Sequence, residues 1–280
     1  MAVGVDFAGR GVIVTGGTRG LGKAIGLEFS RSGATVFLTH RWGSADEEAL
    51  RAEFVREGLP PPEVIESDAS DPQAVRDLMR YVHERSVPLS AVVSNVAFAK
   101  TVGGMEDLKR SSLELSLRYS AWPLVDLLQA AKSTFGVYPR YALAISSDGG
   151  TTCHPGYDMV GAAKAVLETL CRYLALRLKA DGVRVNAIRC GPIDTASLGA
   201  TFGGAVPDLS HDPRFAAGQG LLLEPRGVAR ACVALCSGLM DSVTGQVVTV
   251  DEGLSLVSPA TFLTGRGWPA PFPPDDSEQT

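Results

Sequence analysis

The chain has 280 residues, of which 45% are hydrophobic and 20% are charged, and its formal net charge is −5. That composition predicts a globular protein with a sizeable core and excludes a membrane-spanning helix, because no run approaches the roughly 18 consecutive apolar residues that one needs. The absence of basic runs argues against nucleic-acid binding, and the N-terminus lacks the features of a signal peptide, so a cytoplasmic protein is expected.

Seven short apolar, β-branched runs predict strands at residues 11–16, 34–40, 63–67, 89–95, 141–147, 183–188 and 245–250. Segments with helical periodicity lie between them, and Asp71 before Pro72 predicts the N-cap of one such helix. Strands that alternate with helices predict a parallel sheet covered on both faces. The predicted fold class is therefore α/β: a single Rossmann-type doubly wound domain with a seven-stranded parallel sheet, over residues 1–257.

Two segments do not follow this alternation. Residues 194–220 are rich in Gly, Ala and Pro and come directly after the sixth predicted strand. A long irregular stretch inside a compact domain is usually functional, so this segment is predicted to be a substrate lid. Residues 258–280 are Pro-rich and acidic, and they are predicted to form an extended or disordered C-terminal tail.

The first predicted strand runs into a glycine-rich loop, TGGTRGLG, at residues 15–22. Glycines at 16, 20 and 22 permit a tight turn and let the backbone approach a pyrophosphate, whose charge is met by the N-terminus of the following helix. An ordinary strand–helix turn is the alternative. The position of the loop after a strand, before a helix and at the start of a βαβ series favours a dinucleotide site.

The end of the second predicted strand indicates which dinucleotide is bound. It reads Thr39-His40-Arg41 and offers no carboxylate for the ribose 2′-hydroxyl of NAD. Arg41, together with Arg19 of the glycine-rich loop, has the charge to bind a 2′-phosphate. Either arginine alone could be a solvated surface residue, but the pair without an acid favours NADPH.

The five cysteines are an odd number and contain no CxxC pair. They are predicted to be buried thiols in a reducing compartment, and neither a disulfide framework nor a metal site is expected. Cys232 and Cys236 are spaced i, i+4 on a predicted helix and could share a metal, but no His or Cys partner lies nearby in the sequence, which favours a place in the core. The cysteines are Cys153, Cys171, Cys190, Cys232 and Cys236.

Several motifs together resemble the short-chain dehydrogenase/reductase family over most of the chain. The loop is similar to its TGxxxGxG pattern, SNVA at 94–97 to its NNAG motif with three departures, and 184–195 to its RVNxxxPGxxxT segment, with Cys190 before the glycine. Asp68 matches the aspartate that holds the adenine. The resemblance implies that the cofactor is bound by Gly16, Thr18, Arg19, Gly20, Leu21, Arg41, Asp68, Ala69, Asn95, Lys164, Gly191, Pro192, Ile193 and Thr195.

The reductase tyrosine of this family stands four positions before its lysine, and here that position holds Val160. Lys164 is in place, and Ser147 matches the family's serine. Tyr157 stands seven positions before Lys164, which is the spacing of the enoyl-thioester reductases within the superfamily. The loop and this spacing together resemble the NADPH-using type III enoyl-ACP reductases and the actinomycete 1-cyclohexenylcarbonyl-CoA reductases, which are of similar length.

Reduction of an enoyl thioester places hydride on the β-carbon and negative charge on the more distant thioester oxygen. A hydroxyl that meets that oxygen acts as an oxyanion hole does, and a tyrosine nearly one turn nearer the helix start suits this demand. Tyr157, Lys164 and Ser147 are therefore the predicted catalytic residues. Water is the default source of the α-proton, since a loop histidine is more often a solvated or packing residue. The predicted substrate pocket contains Tyr119, Asp148, Cys153 and His154.

Three functions remain open at this stage. The leading one is an NADPH-dependent enoyl-thioester reductase, the second a carbonyl reductase with a moved tyrosine, and the third a non-catalytic nucleotide-binding protein. The carrier of the acyl group is CoA or acyl carrier protein; the weak basic character of 194–220 gives mild support to CoA. The family resemblance implies that helices in 106–133 and 156–179 pair across a two-fold axis, commonly giving a homotetramer.

Overall fold

The computed structural model of the protein describes residues 5–41, 43, 45–193, 195 and 222–257. Most of the predicted lid and all of the predicted tail lie outside the described residues. Seven strands occur in the described part of the chain, and each overlaps one of the predicted runs. They are β1 (Gly11–Val14), β2 (Thr35–His40), β3 (Glu63–Glu66), β4 (Leu89–Ser94), β5 (Tyr141–Ser147), β6 (Arg184–Cys190) and β7 (Val247–Val250).

These strands form one parallel sheet in the order β3-β2-β1-β4-β5-β6-β7. The predicted seven-stranded, doubly wound α/β fold is confirmed. The order reverses between β1 and β4, because the chain leaves β1 for β2 on one side and leaves β4 for β5 on the other. A crevice opens at such a reversal beyond the carboxyl ends of the strands, where ligands of doubly wound folds bind.

Seven α-helices connect the strands in the described residues: α1 (Gly20–Arg31), α2 (Glu47–Arg56), α3 (Pro72–Glu84), α4 (Arg110–Ser120), α5 (Pro123–Phe135), α6 (Asp158–Arg177) and α7 (Pro225–Leu235). The predicted cap of α3 is confirmed, since the Gln73 amide donates to Asp71 Oδ1 at 2.8 Å. The apolar segment 106–133 is divided between α4 and α5. Pro123 begins the second of these because it has no N–H to continue the first.

The apolar residues of β1 alternate between the two faces of the sheet. Val12 and Val14 pack in a cluster with Ile25 of α1, whereas Ile13 packs on the opposite face with Leu78 of α3. Side chains alternate across a strand, so helices on both faces require an uninterrupted apolar run. This two-sided burial makes the sheet a fixed platform whose strand ends can carry polar side chains.

The strand ends beside the crevice are set by register. β6 extends two residues beyond the predicted run, to Cys190, which pairs with Ser147 at the end of β5. The sheet thus places the predicted catalytic serine next to the segment that begins at Gly191. A short 3-10 helix, Asp148–Gly150, follows Ser147 and leads toward α6.

Four of the five cysteines are buried free thiols, as predicted, but Cys153 is exposed. The expectation of a buried thiol is wrong at this position because Cys153 lies in the loop between the 3-10 helix at 148–150 and α6, away from either core cluster. In the described part of the chain, no helix combines the length and apolarity needed to cross a membrane.

Candidate active site

A cleft of about 1100 Å³ opens at the carboxyl ends of the strands, between the β1 and β4 sides of the sheet. Typical small-molecule pockets measure roughly 300–1,000 Å³, so this cleft has room for a dinucleotide and a second reactant. Every residue predicted to bind the cofactor or to act in catalysis lines it. Of the four predicted substrate residues, Tyr119, Asp148 and His154 line the cleft, whereas Cys153 does not.

The glycine-rich loop forms one wall and fits a pyrophosphate. Gly20 has a φ of 52°, and a Cβ at Gly22 would lie 2.1 Å from the Gly16 carbonyl oxygen, so the tight turn requires glycine. Asn95, after β4, holds the loop by donating from Nδ2 to the carbonyls of Thr15 and Gly16 at 3.0 and 3.2 Å. Helix α1 begins at Gly20 with no acidic residue in its first turn, so its N-terminus favours an anion.

One end of the cleft contains an ion pair bridged by a tyrosine. Arg41 Nε lies 3.0 Å from Asp68 Oδ2, and the Arg41 guanidinium also donates to the Tyr119 hydroxyl. The same hydroxyl is 3.4 Å from Asp68 Oδ2, and the guanidinium lies 4.9 Å from the centre of the Tyr119 ring. Tyr119 was predicted to line the substrate pocket, but these contacts group it with two residues predicted to hold the cofactor.

The other end of the cleft is built where β5 meets the start of α6. Tyr157 is the residue just before α6, and its side chain lines the cleft close to that of Ser147. A Cβ at Gly149 would lie 2.5 Å from the Tyr157 ring, so glycine is required for this close approach. Burial raises the pKa of Tyr157, as does the nearby Asp148 carboxylate, whereas the Ser147 hydroxyl opposes them. The phenol is therefore held protonated, as a hydrogen-bond donor.

Lys164 lies two turns along α6 and is buried, with 3% of its surface exposed. Its Nζ donates to the Ile145 carbonyl at 2.7 Å. Burial lowers the pKa of Lys164 to about 8, against opposing electrostatic effects of Cys190 and Glu168. With this pKa the lysine is mostly charged at neutral pH and loses its proton as the pH rises through about 8.

Behind Lys164 lies a buried ion pair that the sequence analysis did not identify. Glu168 accepts from Arg189 Nε at 3.0 Å and from its terminal nitrogen at 2.6 Å, and also from Ser146 Oγ at 2.8 Å. The i, i+4 spacing of Lys164 and Glu168 on α6 was a visible signal for this neighbourhood. The partner strand could not be inferred from it.

A second group of polar side chains surrounds Ser147. The Ser147 hydroxyl donates to Asp148 Oδ1 at 3.0 Å, and His154 Nε2 lies 3.0 Å from Asp148 Oδ2. The His154 ring packs edge-on against the Tyr157 ring, with 6.0 Å between their centres. The structure thus brings together Ser147, Asp148, His154 and Tyr157 in one cluster at the cleft wall.

The segment after β4 also lines the cleft and was not predicted to do so. Thr101, Val102 and Gly103 face the loop before α6, and the Val102 amide donates to the Gly156 carbonyl at 3.0 Å. The SNVA motif could have indicated this segment, because it marks the end of β4, where the strand order reverses and the cleft opens. Val160, which occupies the usual tyrosine position, is only 1% exposed and is absent from the cleft lining.

A family model described as "Enoyl-(Acyl carrier protein) reductase" matches residues 16–255. The chain belongs to this family. Membership confirms the resemblance to the short-chain dehydrogenase/reductases and to their enoyl-reducing branch, which rested on the glycine-rich loop and the Tyr157–Lys164 spacing. The enoyl-(acyl carrier protein) reductase family model covers both walls of the cleft.

Two curated relatives cover nearly the whole chain. The 1-cyclohexenylcarbonyl-CoA reductase of Streptomyces collinus is 30% identical over 265 residues, which are 94% of this chain and 92% of the relative. The NADH-dependent enoyl-acyl-carrier-protein reductase FabI of Synechocystis sp. is 26% identical over 258 residues, or 90% of this chain and 99% of the relative. A solved structure, a dehydrogenase/reductase from Sinorhizobium meliloti, matches the fold with a TM-score of 0.74 at 24% identity, covering 89% of this chain and 96% of that one.

Proposed function

We propose that the protein reduces the α,β-double bond of an enoyl thioester with NADPH as the reductant. Membership of the enoyl-(acyl carrier protein) reductase family and two relatives named as enoyl-thioester reductases support the reaction class. The single observation that carries the proposal is the position of Tyr157 in the cleft beside Ser147, while Val160 at the carbonyl-reductase position is buried away from it.

Tyr157 stabilises the charge that the reaction creates. A nicotinamide cofactor bound in the cleft would supply hydride to the β-carbon, and the displaced electron pair would move to the thioester oxygen. Tyr157 donates a hydrogen bond to that oxygen, and its raised pKa keeps the proton available for donation. Ser147 lines the cleft beside Tyr157 and is proposed to keep the tyrosine ring in place, which is a positioning role.

Lys164 binds the ribose hydroxyls of the cofactor and presents its charge toward Tyr157. The hydrogen bond from Nζ to the Ile145 carbonyl fixes the ammonium at the end of β5, which leaves its other hydrogens for the ribose. A buried ammonium without a carboxylate as direct hydrogen-bond partner is costly, and ligand hydroxyls in the cleft would offset that cost. Glu168 stabilises the charged form from behind.

NADPH is proposed over NADH from the residues at the end of β2. Arg41 lines the cleft there, with Arg19 in the glycine-rich loop across from it, and neither Thr39 nor His40 supplies a carboxylate. Arg41 would exchange its contact with Asp68 for the 2′-phosphate, a stronger anion. The Synechocystis relative is named for NADH, so this preference distinguishes the chain from that relative.

The carrier is proposed to be CoA, with acyl carrier protein as the alternative. The Streptomyces relative is named for a CoA thioester. Acyl carrier protein is acidic and would favour a basic patch at the cleft mouth. In the sequence of 194–220, Arg214 and His211 are balanced by Asp208 and Asp212, so this segment is not basic. These four residues lie outside the described residues. CoA requires no such patch.

A homotetramer is proposed from the family resemblance and from one face of α6. Val166, Tyr173 and Leu176 are large apolar residues that are 41%, 65% and 73% exposed on this helix. Exposed apolar residues grouped on one element mark an interaction surface. Pairing of α6 with the same helix of a second chain would cover them.

The test follows NADPH oxidation by absorbance with crotonyl-CoA, 1-cyclohexenylcarbonyl-CoA and acetoacetyl-CoA, and repeats each assay with NADH. Turnover of an enoyl thioester with NADPH is the expected result. Turnover of acetoacetyl-CoA alone would make the protein a carbonyl reductase, the second candidate from the sequence. Tight NADPH binding without turnover of any substrate would favour a non-catalytic nucleotide-binding protein.

A further inference from the structure

Reduction of an enoyl double bond consumes a proton as well as a hydride. Tyr157 and Lys164 serve the thioester oxygen and the cofactor, and neither is assigned to the α-carbon. The α-carbon lies one carbon beyond the carbonyl that Tyr157 contacts, so its proton donor must sit beside Tyr157 on the cleft wall. Donation by a positioned acid contributes typically about 10²–10⁴-fold over water, which gives such a group catalytic value.

His154 satisfies this position. Its ring packs edge-on against Tyr157 with 6.0 Å between ring centres, and it lines the cleft. Asp148 Oδ2 lies 3.0 Å from His154 Nε2; because a carboxylate can only accept, Nε2 donates and the ring orientation is fixed. Asp148 is itself held by the Ser147 hydroxyl and by the Gly149 amide, at 3.0 and 2.8 Å.

The other titratable groups at this end of the cleft are unsuited to the task. Burial raises the pKa of Cys190 to about 12, so its thiol gives up a proton reluctantly. Lys164 is bound to the Ile145 carbonyl beneath the proposed ribose site. Imidazole is the side chain that most often serves as a general acid, and the His154 side chain is 31% exposed, so solvent can reach it between turnovers.

We propose that His154, oriented by Asp148, is the general acid that protonates the α-carbon, an inference that rests on the proposed enoyl-thioester reduction. The electron pair on the thioester oxygen returns to re-form the carbonyl, and the α-carbon takes a proton from the His154 imidazolium. A C–H bond forms and the Nδ1–H bond of His154 breaks, while Nε2 keeps the proton that it donates to Asp148 and the imidazole becomes neutral. Solvent then returns one proton to His154, which completes the balance of one hydride and one proton per turnover.

The first experiment compares the wild type, His154→Gln and His154→Ala with whichever of crotonyl-CoA and 1-cyclohexenylcarbonyl-CoA the wild type reduces. We expect kcat to fall about 10²-fold in both variants with KM for NADPH unchanged, and imidazole to restore part of the rate in His154→Ala. His83→Gln is the matched control, since His83 lies exposed on α3 and packs on Phe135. Retention of kcat within about threefold in His154→Gln would overturn the inference.

The second experiment separates proton delivery from a loss of structure. Reduction of the same enoyl-CoA in D₂O places one deuterium on the α-carbon, and the wild type should place it on a single face. His154→Gln should give both faces, while its NADPH binding, followed by fluorescence, stays as in the wild type. Asp148→Asn should displace the NMR signals of the His154 imidazole in the free protein.

The outcomes distinguish this inference from the proposed function. No reduction of any enoyl thioester by the wild type would contradict the proposed function itself, and with it the role of His154. Reduction by the wild type that is unaltered in rate and deuterium placement in His154→Gln would contradict the inference alone. The proposed roles of Tyr157 and Lys164 would then stand with water as the proton source.

Discussion

The two ends of the cleft each combine a tyrosine, a cation and an aspartate, but the surroundings give them different chemistry. At the end of β2, Arg41 pairs directly with Asp68, and the Tyr119 hydroxyl contacts both. The guanidinium is neutralised by a carboxylate and is 30% exposed. Such a group stays charged and can exchange one anion for another, which suits the binding of a phosphate.

At the start of α6, the cation is a lysine that donates to a backbone carbonyl, and the aspartate is directed to a histidine. Lys164 is buried, which lowers its pKa to about 8, and burial raises the pKa of Tyr157. Asp148 contacts Ser147 and His154. Similar residue types thus form a partly exposed ion pair at one end of the cleft and a group of proton donors at the other. The difference arises because the side chains at the two ends differ in burial and in hydrogen-bond partners.

Replacing Tyr157 and Tyr119, one at each end of the cleft, tests this contrast, and the Tyr157 variant should show the largest loss of kcat. Tyr157→Phe removes the donor to the thioester oxygen, and loss of one such donor typically costs about 10²–10³ in kcat. Tyr119→Phe, the matched control at the other end, should leave kcat within about threefold of the wild type and raise KM for NADPH. Steady-state kinetics with an enoyl-CoA measures both. Equal losses of kcat in the two variants would contradict the division of roles.

Replacement of Arg41 should weaken the preference for NADPH over NADH. A hydrogen bond to a charged group is worth about 1.5–3 kcal/mol, so Arg41→Ala should lower kcat/KM for NADPH about 10–100-fold. The value for NADH should change little, because NADH lacks the 2′-phosphate. Arg80→Ala, which removes an exposed arginine from α3, is the control. If both cofactors lose equally, Arg41 supports the cleft without reading the phosphate.

The pH dependence of kcat/KM should report the buried lysine. Lys164 acts in its charged form, so activity is present below its pKa and falls as the pH rises through about 8. The Glu168 charge raises the pKa of Lys164, so Glu168→Gln should move this alkaline decline to lower pH. Glu84→Gln, an exposed carboxylate at the end of α3, should leave the profile in place. A profile that Glu168→Gln does not move would show that another group controls it.

The reaction of the cysteines with a thiol reagent should show that Cys153 lies outside the cleft. Its replacement should have the smallest effect on activity of the changes considered. Cys153 is exposed, whereas burial raises the pKa of Cys171, Cys190 and Cys236. An aromatic disulfide reagent should therefore modify Cys153 rapidly and the others only after unfolding. Cys153→Ser should abolish the rapid phase and keep kcat within about twofold of the wild type, because this residue does not line the cleft. Loss of activity in this variant would place Cys153 in the substrate path after all.

The sequence predicted the sheet and the turn of the glycine-rich loop because their signals are local. Gly22 is required by backbone crowding within its own loop, and the Asp71 cap acts two residues along the chain. The spacing of Tyr157 and Lys164 lies within one helix and the residue just before it. Features of this kind depend on neighbours in the chain, so they can be recognised before the fold is known.

Contacts between distant segments were not predicted. Tyr119 and Arg41 are 78 residues apart, and their contact places Tyr119 beside a residue predicted to bind the cofactor. Arg189 meets Glu168 because β6 lies beside β5, below α6. The exposure of Cys153 likewise depends on how the loop before α6 packs on the segment after β4.

The sequence by itself determined the strand–helix alternation, the glycine-rich loop and the tyrosine–lysine spacing, because each is a requirement of local backbone geometry or helical period. The tertiary structure alone decided which aspartate meets which cation, how far Lys164 is desolvated, and that His154 lies against Tyr157. Hydrogen bonds and desolvation depend on distances between atoms that only the packed sheet and its helices bring together, so the chemistry of the cleft could be assigned only after the fold was known.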